Sequence, residues 1–268
     1  MTTSQRIGVF DSGMGGLTVL GALRRALPQA DFIYLGDTAR LPYGTKSGDT
    51  VTQYALQSAR ALIARNIGLL VIACNTASAV ALPALSQAFV PLPVIGVVEP
   101  GAEAGVHATR KGHIAVIATE STVRGGAYPR AIHALNPALR VTQAACPLFV
   151  ALAEEGWTEG EVAIATARRY LDPLFAKADR PDTLVLGCTH FPVLRQTIQA
   201  AIGPDVTIVD SAETTAARVA RSLAQAPDRP AAAPRFLVTD SPERFARVGR
   251  AFLGEPIAAD AVELIDLR

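Results

Sequence analysis

The chain has 268 residues, half of them hydrophobic and 18% charged, with a formal net charge of +1. That is enough apolar chain for one large domain or two modest ones, which excludes disorder as the main state. The near-zero charge, without any block of like charges, excludes a nucleic-acid or other polyanion surface as the main business of the protein. Three cysteines exclude a disulfide framework.

The first six residues are polar and carry no signal-peptide pattern, so a cytoplasmic location is expected. Residues 7–10 read as a strand. The loop Asp11-Ser12-Gly13-Met14-Gly15-Gly16 follows and matches neither the dinucleotide nor the phosphate-loop pattern. It reads as a tight strand-to-helix turn, or as backbone N–H groups placed to hold a small carboxylate. Residues 32–35 form the next strand, leading into Gly36-Asp37-Thr38 and then Pro42-Tyr43-Gly44. Residues 49–65 have a helical pattern with Thr50 near its start.

Residues 66–98 contain no charge at all. A membrane span needs ~20 mostly apolar residues. Here Asn75, Thr76, Ser78, Ser86 and Gln87 interrupt the run, as do Pro83, Pro91 and Pro93, so it reads as a buried α/β segment and no membrane span is expected. Within it, a strand at 69–73 leads into Cys74-Asn75-Thr76, and a strand at 94–97 leads into a crossover turn at Val98-Glu99-Pro100-Gly101. Further strands are expected at 114–118, 141–144, 183–186, 206–209 and 236–238, with helices at 159–178, 212–226 and 242–253. Ser121, Thr158 and Ser241 are candidate helix caps, and 226–234 is an expected exposed loop.

Continuous apolar runs alternating with helices predict an α/β fold with parallel sheets covered on both faces. Residues 72–76 echo 186–190, and 9–12 echo 208–211, which suggests two related halves. Ligands of such sheets bind beyond the carboxyl ends of the strands. Asp11, Ser12, Asp37, Cys74, Asn75, Thr76, Glu99, Cys188, Thr189 and His190 all fall there. Cys146 has apolar neighbours and reads as core. His107, His113 and His133 read as surface residues. Cys74 and Cys188 are far apart in sequence and share only His190, which is poor spacing for a metal, so no metal site is expected.

In order along the chain, residues 8–16, Tyr34-Leu35-Gly36-Asp37-Thr38 with Pro42-Tyr43-Gly44, residues 73–78, residues 146–149 through 154–156, residues 186–192 and residues 240–245 resemble the motifs of glutamate racemases. The resemblance covers nearly the whole chain, and the ordered pair of cysteine motifs makes it specific. It implies an α/β protein of two pseudo-symmetric domains with the active site in the cleft between them. The expected division is 1–98 plus 208–268 for the Cys74 side and 99–207 for the Cys188 side. It implies interconversion of L- and D-glutamate without any cofactor, D-glutamate serving peptidoglycan synthesis, and a homodimer as a common state of the family.

Carried over by motif, Cys74 and Cys188 are the expected acid/base pair, Cys74 acting on the D form and Cys188 on the L form, with Asp11 beside Cys74 and His190 beside Cys188. Asp11, Ser12, Tyr43, Gly44, Asn75, Thr76, Thr189 and His190 are the expected substrate-lining residues. Glu154 reads equally well as a solvated helix-end acid or as a cleft residue. Racemisation removes the α-proton from one face and returns one to the other, which two thiols on opposite sides accomplish without turning the substrate. A pyridoxal phosphate enzyme needs a buried lysine, and Lys46, Lys111 and Lys177, the only three lysines, sit in a polar loop, a turn and a helix end. Two alternatives stay open: a racemase of aspartate or another amino acid in the same superfamily, and a non-catalytic amino-acid-binding module.

Overall fold

A computed structural model describes residues 6–176, 178–223 and 232–267. In chain order, the first stretch runs β1 (Arg6–Asp11), α1 (Leu17–Ala26), β2 (Asp31–Gly36), α2 (Gly48–Ile63), β3 (Leu69–Ile72), α3 (Asn75–Ala88) and β4 (Val94–Gly96). The middle runs α4 (Val98–Ala108), β5 (His113–Ala118), α5 (Glu120–Gly125), α6 (Ala127–Leu135), β6 (Arg140–Ala145), α7 (Leu148–Glu155), α8 (Gly160–Phe175) and β7 (Thr183–Gly187). The last runs α9 (Arg195–Ile202), β8 (Thr207–Asp210), α10 (Ser211–Ser222), β9 (Arg235–Val238), α11 (Pro242–Leu253) and β10 (Val262–Leu264).

Two wholly parallel sheets result, with orders β10-β9-β2-β1-β3-β4 and β6-β5-β7-β8. The four-strand pattern β2-β1-β3-β4 recurs as β6-β5-β7-β8. The topology is therefore repeated, which answers the expectation of two related halves. It also sorts the two sequence echoes. Residues 72–76 and 186–190 close β3 and β7, which hold the same place in the repeat. Residues 9–12 and 208–211 close β1 and β8, which do not, so that similarity is coincidental.

The expected domain division needs a correction at its second boundary. That division places residues 208–210 in the first half, but β8 pairs with β7. The second sheet extends to Asp210. The ladder sets Ile208 beside Leu184 and Val209 beside Val185.

Both faces of each sheet are covered, as the continuous apolar strands require. Alternate residues of β1 serve different layers: Ile7 and Val9 join one buried cluster, Phe10 another. The first cluster runs on through Ala115 and Ile117 of β5 and Ala212, Ala216 and Val219 of α10. The two sheets thus share one continuous apolar core.

Helix starts differ in detail from the sequence reading. Ser47, not Thr50, caps α2, its hydroxyl accepting from the Thr50 N–H at 3.3 Å. Thr119 rather than Ser121 stands at the start of α5, and Glu159 rather than Thr158 at the start of α8. Ser241 does stand at the start of α11, without a side-chain bond. His113 is buried, its ring bonded to the Asp179 carbonyl and the Thr142 hydroxyl, so it is not a surface residue. Part of the uncharged segment is exposed, Val90 most of all. No described helix is long and apolar enough to cross a membrane. Residues 226–231 of the expected loop lie outside the described residues.

Gly36 ends β2 where the chain has no room for a side chain. A Cβ there would sit 2.2 Å from the Gly13 carbonyl oxygen, which is backbone and has little freedom to yield. Gly36→Ala is expected to destabilise the fold by about 1–3 kcal/mol, as overpacked core sites do. Gly125, with nothing within 4 Å of its hypothetical Cβ, is the control. Thermal unfolding of both variants checks the contrast, and equal melting temperatures would refute it.

Candidate active site

In a parallel sheet of order 2-1-3-4, consecutive crossovers leave in opposite directions from the first strand, and a crevice opens beyond the carboxyl ends of strands 1 and 3. In the first sheet those ends carry Asp11-Ser12 and Cys74-Asn75-Thr76. In the second they carry Thr119 and Cys188-Thr189-His190. The two crevices face each other. Gly44 comes so close to Thr119 that a Cβ would lie 2.7 Å from the threonine Cβ. Gly15 lies so close to His190 that a Cβ would stand 2.4 Å from Nδ1. The glycines of both loops are what let the halves meet.

Cys74 is 5% exposed and Cys188 6%. The Cys74 thiol donates to Ser12 Oγ at 3.5 Å and accepts the Ala77 N–H at 3.4 Å, so the sulfur also caps α3. Burial, reinforced by the negative charge of Asp11, pushes this thiol up to about 12, and Cys188 adds to the effect. The two thiols are therefore within electrostatic reach of one another. Cys146 is fully buried in the shared core, and burial raises it to about 12 as well.

Asp11 is fully buried. Burial raises its pKa, while His190 and the N–H groups of Gly16, Gly13 and Ser12 oppose that rise. The Gly13 N–H donates to Oδ2 at 2.9 Å. The glycine-rich turn thus does hold a carboxylate with its backbone, but the carboxylate is the chain's own. Asp11 Oδ1 is buried without a partner.

On the other side, His190 Nδ1 lies 3.9 Å from Cys188 Sγ, and Nε2 lies 3.2 Å from Glu154 Oε1. Arg244 donates to the second oxygen of Glu154 at 2.9 Å. Burial disfavours a charged His190, but the bonds to Cys188 and Glu154 outweigh it and hold the ring up at about 10. Glu154 is held below the usual carboxylate range: its burial is outweighed by His190 and Arg244. A chain of groups runs from Arg244 on α11 through Glu154 on α7 to His190 and Cys188. Glu154 is therefore a cleft residue.

Three hydroxyls meet between the halves. Thr76 lies 2.9 Å from Thr119 and 3.3 Å from Thr122, and the last two are 3.0 Å apart. All three are buried. A cavity of about 270 Å³ opens beside them, with Leu41, Pro42 and Gly44 on one wall and Thr119, Val150 and Glu154 on the other.

Of the residues singled out from sequence, Asp11, Ser12, Cys74, Asn75 and Thr76 sit at one crevice and Cys188, Thr189 and His190 at the other. The phenol of Tyr43 is committed elsewhere, since its hydroxyl donates to buried Asp37 and its ring packs on Phe10 and Tyr54. Tyr43 shapes the loop that carries Gly44. Sequence reasoning missed Thr119, Thr122, Tyr128 and Arg244. Thr119 had a usable signal, because it follows the expected strand 114–118. Arg244 lies in the 240–245 motif, which gave it no role of its own, and Thr122 and Tyr128 approach the site from helices, where position in the chain gave no signal. Lys46 is half-buried and Lys111 exposed; Lys177 lies outside the described residues.

The sequence profile of the Asp/Glu/Hydantoin racemase family matches residues 16–219. A glutamate racemase of Geobacter metallireducens is 54% identical over 252 residues, 92% of each chain. Among solved structures, a glutamate racemase isoform from Bacillus anthracis superposes with a TM-score of 0.93 at 37% identity, covering 99% of this chain and 98% of its own. A glutamate racemase from Francisella tularensis in complex with D-glutamate gives 0.89 at 35% identity, with the same coverage. Matches of this extent, on a fold with one thiol at each of two facing sheet crevices, mean that the chain belongs to the Asp/Glu/Hydantoin racemase family and is an amino-acid racemase resembling the glutamate racemases.

Proposed function

We propose that this chain interconverts L- and D-glutamate by proton transfer at the α-carbon, with Cys74 and Cys188 as the two bases and no cofactor. The observation that carries this reading is the placement of one buried thiol at the same point of each repeated half, facing the same cleft. A thiolate on one side takes the α-proton, and the C–H electron pair stays on the α-carbon. The thiol on the other side delivers its proton to the opposite face and becomes the new thiolate. Substrate and product differ only in configuration, and the two sulfurs exchange protonation states.

The surroundings of the two sulfurs differ in sign, which supports the assignment. Asp11 beside Cys74 favours the protonated thiol. His190, protonated at neutral pH, supplies a counter-charge for a thiolate at Cys188. This arrangement fits Cys188 acting on L-glutamate and Cys74 on D-glutamate. Fixed donors are needed to stabilise the carbanion-like transition state. Ser12, Asn75, Thr76, Thr189 and His190 supply them from both halves. The Thr76–Thr119–Thr122 cluster, close to the Gly44 backbone, suits the distal carboxylate. Identity to glutamate racemases over nearly the whole chain favours glutamate over aspartate. D-glutamate made in the cytoplasm for peptidoglycan is the corresponding cellular role.

Three outcomes test this reading. Purified protein incubated with L-glutamate in deuterated water, without added cofactor, is expected to form D-glutamate carrying α-deuterium. Cys74→Ala and Cys188→Ala should each abolish that conversion while leaving the circular dichroism spectrum unchanged. A wild-type protein inert to glutamate would overturn this reading and leave the two alternatives, a racemase of aspartate or another amino acid and a binding module, which the same assay with aspartate separates.

Glu154→Gln removes a group that raises the His190 pKa, so the His190 titration should move down from about 10 toward its ordinary value. A shift of about one unit or more is expected, read by NMR or from the basic limb of kcat/KM. An unmoved midpoint would show that the Glu154 charge is not the cause.

Thr119→Val removes one hydroxyl of the distal cluster at nearly constant volume. It should raise KM for glutamate about tenfold, the cost of a lost hydrogen bond to a charged group. KM unchanged would place the distal carboxylate elsewhere.

A further inference from the structure

Tyr128, on α6 of the second half, is fully buried, and its hydroxyl donates to Asn75 Oδ1 in the first half at 2.7 Å. Asn75 follows Cys74 directly and is 2% exposed. Its Nδ2 is buried and has no partner. An amide nitrogen left unsatisfied in a protein interior is costly, so such a group is retained where a ligand completes it.

The Tyr128 phenol gives its proton to Oδ1, so the Asn75 amide is held with Nδ2 turned away from the ring. The ring itself has no room to move. A Cβ on Gly187, the residue before Cys188, would lie 2.9 Å from its Cε2, and one on Gly101 would lie 3.0 Å from its hydroxyl.

We propose that Tyr128 is a positioning residue: through its bond to Oδ1 it holds the Asn75 amide in one orientation, keeping Nδ2 as a fixed donor for the anionic amino-acid substrate. This rests on the racemase reading above. Without the phenol hydroxyl the amide can turn. It then presents Oδ1, an acceptor, to a carboxylate for part of the time. The bond also ties α6 to the start of α3, so the donor's place is set by the second half although its residue belongs to the first.

The test is a double-mutant cycle in kcat/KM, measured for glutamate on wild type, Tyr128→Phe, Asn75→Ala and the double variant, with a melting curve for each. Tyr128→Phe is expected to lose about tenfold, mainly through KM. In the Asn75→Ala background the same change should cost less than about twofold, because the residue it acts through is gone. An unchanged kcat/KM in Tyr128→Phe overturns the proposal. So does an equal loss in the Asn75→Ala background, which would mean that Tyr128 acts by packing on Gly187.

Should Tyr128→Phe fail to fold, Asn75→Asp keeps an oxygen for the phenol and replaces the Nδ2 donor with an acceptor; it is expected to lose at least about tenfold in kcat/KM, and wild-type behaviour of Asn75→Asp would overturn the proposal. If the wild type did not racemise glutamate, the function reading would fail separately. The same cycle, read as D-glutamate affinity by calorimetry, would still decide the role of Tyr128.

Discussion

Phe10 lies opposite Ile72 in the first sheet, and Ile117 lies opposite Leu186 in the second. In each sheet the thiol stands two residues beyond that pair, at the carboxyl end of the strand that follows the first crossover reversal. A slip of one residue in either register would turn the strand's side chains to the opposite face. It would carry a cysteine out of the cleft and an apolar residue into it. The register is held by burial on both faces of each strand. Stability and placement of the chemistry are consequences of the same packing.

Given that placement, the charges around the two sulfurs are unlike. Cys74 meets a buried carboxylate whose own stability depends on backbone N–H groups of a glycine-rich turn. Cys188 meets an imidazole backed by a carboxylate and then an arginine. The first environment favours a neutral sulfur, and the second sets a protonated imidazole beside its sulfur. A repeated topology has thus acquired two unlike chemical halves.

At the cleft the halves are joined by polar contacts. They include the three-threonine cluster, the Tyr128–Asn75 bond, the Thr18 hydroxyl reaching the Thr189 carbonyl at 3.3 Å, and the Arg244–Glu154 pair. Polar groups buried without water must find partners. Those at this interface find them across it or leave an atom open, as Asn75 Nδ2 and Asp11 Oδ1 do. The continuous apolar core beneath, through α10, keeps the two crevices at a fixed separation.

The sequence alone determined the strands, because continuous apolar runs ending in small polar residues have few other uses; all nine expected strands are present. It also determined the two cysteine motifs, each at such an end. The short strand 262–264 went unread because three residues carry too little pattern. The tertiary structure decided what depends on elements far apart in the chain. It moved β8 to the second sheet and separated the meaningful echo from the accidental one. It buried His113, turned Tyr43 to Asp37, and gave Glu154 its place between Arg244 and His190. It also brought Tyr128 from an amphipathic helix to Asn75, 53 residues away. Periodicity records which face of an element is buried, whereas the partner across a cleft is set by how whole sheets and helices pack.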